Sequence, residues 1–176
     1  MENKCVYLSL GGNQGDAFFH LQQALALLCS QTESVAQLKI SHSYRTEPLG
    51  CETPHWFVNA ACSFWTSMSL QEVFQMTQAI EKKLGKIEKP KSADRPIDID
   101  LLFYGRQMVK TEELEIPHPR WKERLFVLIP LADLTKDIFL RTESGLERYP
   151  LQDLIQFLSA QTNQAVSLLE KNPDLQ

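Results

Sequence analysis

The sequence predicts an α+β fold: a βαββαβ sandwich with an antiparallel sheet and additional C-terminal helices. Three observations carry this. Short apolar, β-branched or aromatic runs alternate with helix-period runs in the order strand, helix, strand, strand, helix, strand. Caps or breakers separate most of them. The length of 176 residues, with 43% hydrophobic and 23% charged residues, suits one ordinary domain with one sizeable core. That domain is placed at residues 1–160, with 161–176 as a tail of weak helical pattern.

Cys5–Leu10 reads as a buried strand, and Gly11-Gly12-Asn13-Gln14-Gly15 breaks it. Asp16 is the expected N-cap of a helix whose face is Leu21, Ala24, Leu25 and Leu28. Val35–Tyr44 alternates loosely and reads as the second strand. Thr46–Gly50 is a loop, because Pro48 and Gly50 interrupt regular structure. Phe57–Trp65 is the third strand. Ser69 and Glu72 have capping-box spacing before a helix with Val73, Met76, Ile80 and Leu84 on one stripe, ended by Gly85. Lys86–Asp94 is a long polar loop of the kind that is usually functional or disordered. Ile97–Phe103 is the fourth strand. Further helices are expected over Arg120–Val127 and after Pro150, the latter with Leu151, Leu154, Ile155 and Leu158 on one face. This element order is that of a ferredoxin-like sandwich.

Composition excludes several classes. No apolar run approaches the ~20 residues of a membrane span. No secretory pattern opens the chain, and the four cysteines have no CxxC spacing, so a cytoplasmic protein with reduced thiols is expected. A net charge of −4 argues against a nucleic-acid or anionic-membrane binder. Yet Lys82–Arg95 holds six basic and two acidic residues. A basic segment on an acidic protein suits a small anionic ligand, or is a solvated loop.

The strongest chemical signal is Arg95-Pro96-Ile97-Asp98-Ile99-Asp100. On a strand, Asp98 and Asp100 share one face, roughly 6.6 Å apart at Cα, while Ile97, Ile99 and Leu101 face the core. Two carboxylates on an apolar strand repel each other and lose hydration, so they call for a cation. Hard oxygen ligands with few protein partners suit Mg²⁺, which retains waters and takes phosphate oxygens. A polar edge-strand face is the alternative. Gly11-Gly12 would let backbone approach a ligand closely or simply make a tight turn; no Walker sequence is present. His118 lies between two prolines and, with Arg124, could meet a phosphate; a turn residue and a surface ion pair are the alternatives. Asn59 in the apolar strand Phe57–Ala61 could recognise a heterocycle beside Phe57, or be a satisfied structural amide.

Together, Tyr7–Asn13, Tyr44–Gly50, Phe57–Ala61, Gln78–Glu81, Arg95–Asp100 and Pro117-His118 resemble, in order, the 6-hydroxymethyl-7,8-dihydropterin pyrophosphokinase family of folate biosynthesis. The resemblance runs from about Val6 to Leu134. It implies a transferase that moves pyrophosphate from ATP to 6-hydroxymethyl-7,8-dihydropterin, releasing AMP. It implies that Asp98 and Asp100 hold two Mg²⁺ ions and are catalytic with Arg95. It implies ATP contacts at Gln78, Glu81, Arg95, Leu101, His118 and Arg124. The implied pterin pocket is Thr46, Pro48, Leu49, Phe57, Asn59 and Phe126, with the two phenyl rings stacking on the pterin. The loop Lys86–Asp94 would close over the site. This sequence departs from the family at Lys91-Ser92-Ala93-Asp94, which has no aromatic and puts an acid directly before Arg95. The expected partners are these two small molecules, with no nucleic acid and no membrane, acting on a monomer. The competing readings are another Mg²⁺-dependent phosphoryl or nucleotidyl transferase and a non-catalytic ferredoxin-like binding module.

Overall fold

The computed structural model describes residues 3–50, 53–86 and 94–172. In chain order its elements are β1 (Lys4–Gly12), α1 (Ala17–Cys29), β2 (Ala36–Ile40), β3 (Ser43–Thr46), β4 (Phe57–Thr66), α2 (Leu70–Lys83), β5 (Asp98–Tyr104), β6 (Val109–Lys110), β7 (Glu115–Ile116), α3 (Leu125–Leu134), β8 (Asp137–Thr142), β9 (Gly145–Pro150), α4 (Leu151–Ser159) and β10 (Val166–Glu170).

The main sheet runs β10-β3-β4-β1-β5, with β2 also on β4. All its pairings are antiparallel. β2 and β3 are one strand position broken in two. At the break the Ser41 hydroxyl accepts from Ala61 N at 2.8 Å. The Asp133 carboxylate of α3 accepts from His42 N at 3.0 Å and Tyr44 Oη at 2.9 Å. With that strand counted once, the βαββαβ order and its sheet are the ones the sequence predicts.

The caps behave as their chemistry dictates. Asp16 accepts from Phe19 N, and Ser69 with Glu72 forms the reciprocal capping box. Gly85 ends α2 at φ +87°, a conformation that a Cβ disfavours.

The two faces of the sheet carry different cores. Val6, Leu8 and Leu10 of β1, with Ile97, Ile99 and Leu101 beside them, pack under α1 and α2. On the other face Leu102, Phe103 and Trp121 pack with α3, α4 and the β8–β9 hairpin. Strand alternation then leaves Ser9, Gly11, Asp98 and Asp100 on this second face, past the edge of that core. The cleft lies there.

Two sequence expectations are corrected. The helix expected over Arg120–Val127 is a 3₁₀ turn at Trp121–Glu123, then an extended Arg124, then α3. Trp121 is buried in the second core, and α3 continues through Pro130 because packing on both sides outweighs the one lost backbone bond. The tail expected to be helical contains β10, because the free edge of β3 offers it backbone partners. The extra C-terminal helices are thus α3 and α4, and the β8–β9 hairpin between them had no sequence signal strong enough to read.

Candidate active site

The cleft is built by register. On β1, Ser9 lies opposite Asp100 and Gly11 opposite Asp98. On the other side Gly11 lies opposite Asn59, and Phe57 opposite Thr46. One row therefore crosses three strands, from Asp98 through Gly11 to Asn59, and the Asn59 side chain reaches diagonally to Thr46 on β3. Gly11 is required for this: a Cβ there would stand 2.1 Å from Asn59 Oδ1. Asn59 Nδ2 donates to Thr46 Oγ1 at 2.7 Å, so this buried amide has one partner in the sheet.

Gly12 and Asn13 form a clamp on the chain's own backbone, not an opening for a ligand. Asn13 N and Gln14 N donate to Arg95 O at 3.0 and 3.1 Å, and Asn13 Oδ1 accepts from Arg95 N at 2.9 Å. A Cβ on Gly12 would meet Pro96 O at 2.2 Å. Asp94 completes the clamp. It accepts from Asn13 Nδ2 and Thr53 Oγ1, each at 2.7 Å, and lies 2.7 Å from His55 Nδ1. Asp94 thus ties two loops together.

Arg95, Asp98, Asp100, His118 and Arg124 line one cavity of about 560 Å³. Thr46, Leu49, Phe57, Asn59 and Phe126 line the rest of it. Ser9, Glu47, Gly50 and Arg120, which the sequence did not single out as site residues, also face it. Four expected residues do not. Pro48 is half-buried beside the cavity without lining it, and Gln78 is exposed on α2. Glu81 lies behind Asp98, its Oε1 accepting from Ile99 N at 2.6 Å and Lys86 Nζ at 2.7 Å. Leu101 is buried in the first core, because alternation turns its side chain away from Asp100. The lid expected over Lys86–Asp94 lies, from 87 to 93, outside the described residues.

The two aspartates have different surroundings. Asp98 is contacted by Lys86 Nζ and by Arg95 Nη1, the latter at 2.7 Å. Burial pushes its carboxyl upward, but the Lys86 bond and the Lys86 and Arg95 charges outweigh that and hold it below the usual aspartate range. Asp100 has Arg124 Nη1 at 3.6 Å and His118 Nε2 at 3.9 Å, both beyond hydrogen-bond reach. Burial, then the charge of Asp98, raises its carboxyl. Burial also pushes the His118 imidazole down, toward its neutral form. His118 Nδ1 accepts from Arg120 N at 3.2 Å, so the neutral ring carries its proton on Nε2, facing Asp100 and the cleft. Arg124 stacks over Phe126 at 5.5 Å and so sits between the charged and aromatic halves.

Among the described residues no group of three or more His, Cys, Asp or Glu could hold a metal by itself. Two carboxylates on one strand face, one without a hydrogen-bonded cation, do fit a hard divalent ion that completes its shell with water and phosphate oxygens.

A sequence model of the family described as 7,8-dihydro-6-hydroxymethylpterin-pyrophosphokinase (HPPK) matches residues 7–136. The 2-amino-4-hydroxy-6-hydroxymethyldihydropteridine pyrophosphokinase of Bacillus subtilis is 40% identical over 136 residues, covering 77% of this chain and 81% of that one. The protein of the same name from Porphyromonas gingivalis is 44% identical over 133 residues, 73% of this chain and 89% of that one. Among solved structures, an HPPK-DHPS in complex with substrates superposes with a TM-score of 0.68 at 11% identity, covering 92% of this chain and 44% of the other. Plasmodium falciparum HPPK-DHPS with pteroate gives 0.67 at 12%, covering 91% and 43%. The chain spans less than half of those two structures, which share its fold. With the family match extending over most of the chain, and relatives at this identity matched over most of their own length, the chain belongs to the 7,8-dihydro-6-hydroxymethylpterin-pyrophosphokinase family.

Proposed function

We propose that this chain transfers pyrophosphate from ATP to 6-hydroxymethyl-7,8-dihydropterin, giving AMP and the pterin diphosphate in folate biosynthesis. The observation that carries the reading is the shared cavity: Asp98 and Asp100 at one end, Asn59 with Phe57 and Phe126 at the other, and Arg95, His118 and Arg124 among the lining groups. A triphosphate fits the cationic and acidic end. A flat, hydrogen-bonding heterocycle fits the aromatic end, where the free edge of the Asn59 amide and the Thr46 hydroxyl select it and the phenyl rings stack on it.

Asp98 and Asp100 would hold Mg²⁺, two ions by family resemblance, which when bound neutralises the triphosphate and lowers the pKa of the attacking hydroxyl. The pterin hydroxymethyl oxygen attacks the β-phosphorus, the bond from that phosphorus to the α-phosphate oxygen breaks, and AMP leaves. Arg95 and Arg124 stabilise the charge that develops on the phosphoryl oxygens, and His118 donates to it from Nε2. Lys86 and Arg95 hold Asp98, and with a divalent cation bound there their charges would be available to phosphate. Glu81 acts at longer range, by fixing the backbone of β5 at Ile99.

The same reading makes the protein a cytoplasmic monomer with no nucleic-acid or membrane partner. No helix among the described residues is long and apolar enough to cross a membrane. The decisive experiment is AMP formation from ATP and Mg²⁺ with and without 6-hydroxymethyl-7,8-dihydropterin. AMP release only with the pterin is expected. ADP release would make the protein a simple kinase, and no turnover would favour a binding module.

A further inference from the structure

We infer that the C-terminal strand is a strap that sets the position of the pterin-binding loop through Glu47, so that residues 164–165 tune affinity for the pterin without touching it. The inference rests on the reading above, in which Thr46 and Leu49 face the pterin.

β3 pairs with β4 only as far as Thr46, which lies opposite Phe57. Glu47 is the next residue, lines the cavity, and begins the loop that carries Leu49. Beyond Thr46 the sheet no longer holds this backbone from the β4 side. It is held from the opposite side by the tail. Glu47 N donates to Ala165 O at 2.9 Å. Ala165 N donates to Glu47 Oε2 at 3.2 Å, and Gln164 Nε2 donates to Glu47 O at 2.9 Å. One residue thus has its N–H, its carbonyl and its carboxylate bound by a dipeptide more than a hundred positions away in the chain.

The strap is fastened along its length. Val166 lies opposite Thr46 and Leu168 opposite Tyr44. At its far end Asn172 N donates to His42 Nδ1 at 3.0 Å, and Asn172 Nδ2 donates to Ile40 O at 2.7 Å. It contributes little to either core: Leu168 and Leu169 are 47% and 45% exposed. A segment that buries so little apolar surface, yet bonds every polar backbone atom of one cavity residue, acts on that residue's placement more than on global stability. It also lies outside the 7–136 span of the family match.

The test compares wild type with the Gln164→Ala/Ala165→Pro double variant, a chain lacking residues 162–176, Glu47→Ala and Glu47→Gln. Pterin KM, ATP KM and kcat are measured, together with the pterin Kd by fluorescence titration. The double variant and the truncation are expected to raise pterin KM and Kd by about five-fold, the net worth of roughly one hydrogen bond, with ATP KM and kcat held within about two-fold. Glu47→Ala follows them, and Glu47→Gln, whose amide oxygen still accepts from Ala165 N, raises pterin KM and Kd less than Glu47→Ala does. Unchanged pterin KM in the double variant overturns the strap, as does an equal rise in ATP KM, which would mean general loosening. If the truncated chain does not fold, the double variant decides by the same criteria. A wild type without pterin-dependent AMP release overturns the functional reading and the strap with it, whereas an active wild type with unaffected strap variants overturns the strap alone.

Discussion

At the scale of single residues the cleft is a set of charges whose surroundings differ. Asp98 already has two cations against it, whereas Asp100 has only ion-pair neighbours beyond hydrogen-bond reach. Replacing either by Ala is expected to lower kcat by about a thousand-fold or more, because one carboxylate holds a divalent cation poorly. The far-UV circular dichroism and melting temperature should stay near wild type, since both side chains face the cleft and not a core. Near-normal turnover in either variant would refute their assignment as metal ligands. Glu81 makes a prediction about pH. Burial raises its carboxyl to about 7, even with Lys86 and the Ile99 N–H bound to it. Between the ordinary glutamate value near 4.5 and about 7, the folded protein keeps a proton there that the unfolded chain has lost. Stability therefore falls as pH rises through that window. Glu81→Gln keeps an acceptor for Ile99 N–H and should flatten that part of the profile, as read from denaturant midpoints at pH 4.5 to 7. Parallel profiles for wild type and variant would count against it.

At the scale of elements, function depends on how loops are pinned to strands. Gly12 leaves room for the Arg95-Pro96 backbone, and any Cβ there would collide with a carbonyl that cannot move independently of Arg95. Gly12→Ala is expected to cost about 2 kcal/mol or more, as overpacking does, and to lower kcat through displacement of Arg95. Chemical denaturation and steady-state kinetics check the two effects, and a fully active, fully stable variant would show that the clamp is dispensable. α3 is pinned differently. Asp133 binds His42 N and Tyr44 Oη across the break between β2 and β3. Asp133→Ala strands a buried tyrosine hydroxyl and a backbone donor, so a loss of about 2 kcal/mol in denaturant unfolding is expected. A change within about 0.5 kcal/mol would mean that water replaces the carboxylate at no cost.

At the scale of the whole molecule, one twisted sheet separates two cores, and the site opens where the second core stops. Elements of strong period and clear caps were readable in the chain: β1, α1, β4, α2, β5 and α4 lie within a few residues of their expected bounds. The break inside the second strand was not, because it is made by Ser41 and Asp133, which meet it from distant parts of the chain. Nor was β10, whose residues have no strand pattern of their own and take strand geometry from the edge of β3. Ten of the expected site residues meet in one cavity: Asp98, Asp100, Phe57 and Asn59 lie on strands whose alternation could be counted, whereas Thr46, Leu49 and Phe126 were expected from the family resemblance alone. Lys86 was legible as part of the basic segment, but its contact with Asp98, twelve positions away, was not, because helix α2 had to end before its side chain could turn back.

The sequence by itself determined the α+β class, the βαββαβ order as far as β5, the caps and the common face of Asp98 and Asp100, since each follows from local spacing and backbone sterics. Register, the clamp of Asn13 on Arg95, the burial of Leu101 away from the cleft and the strap across Glu47 were decided only by the tertiary structure. They are contacts between residues far apart in the chain, and no local pattern encodes which edge a strand will join or which backbone will fill the space beside a glycine.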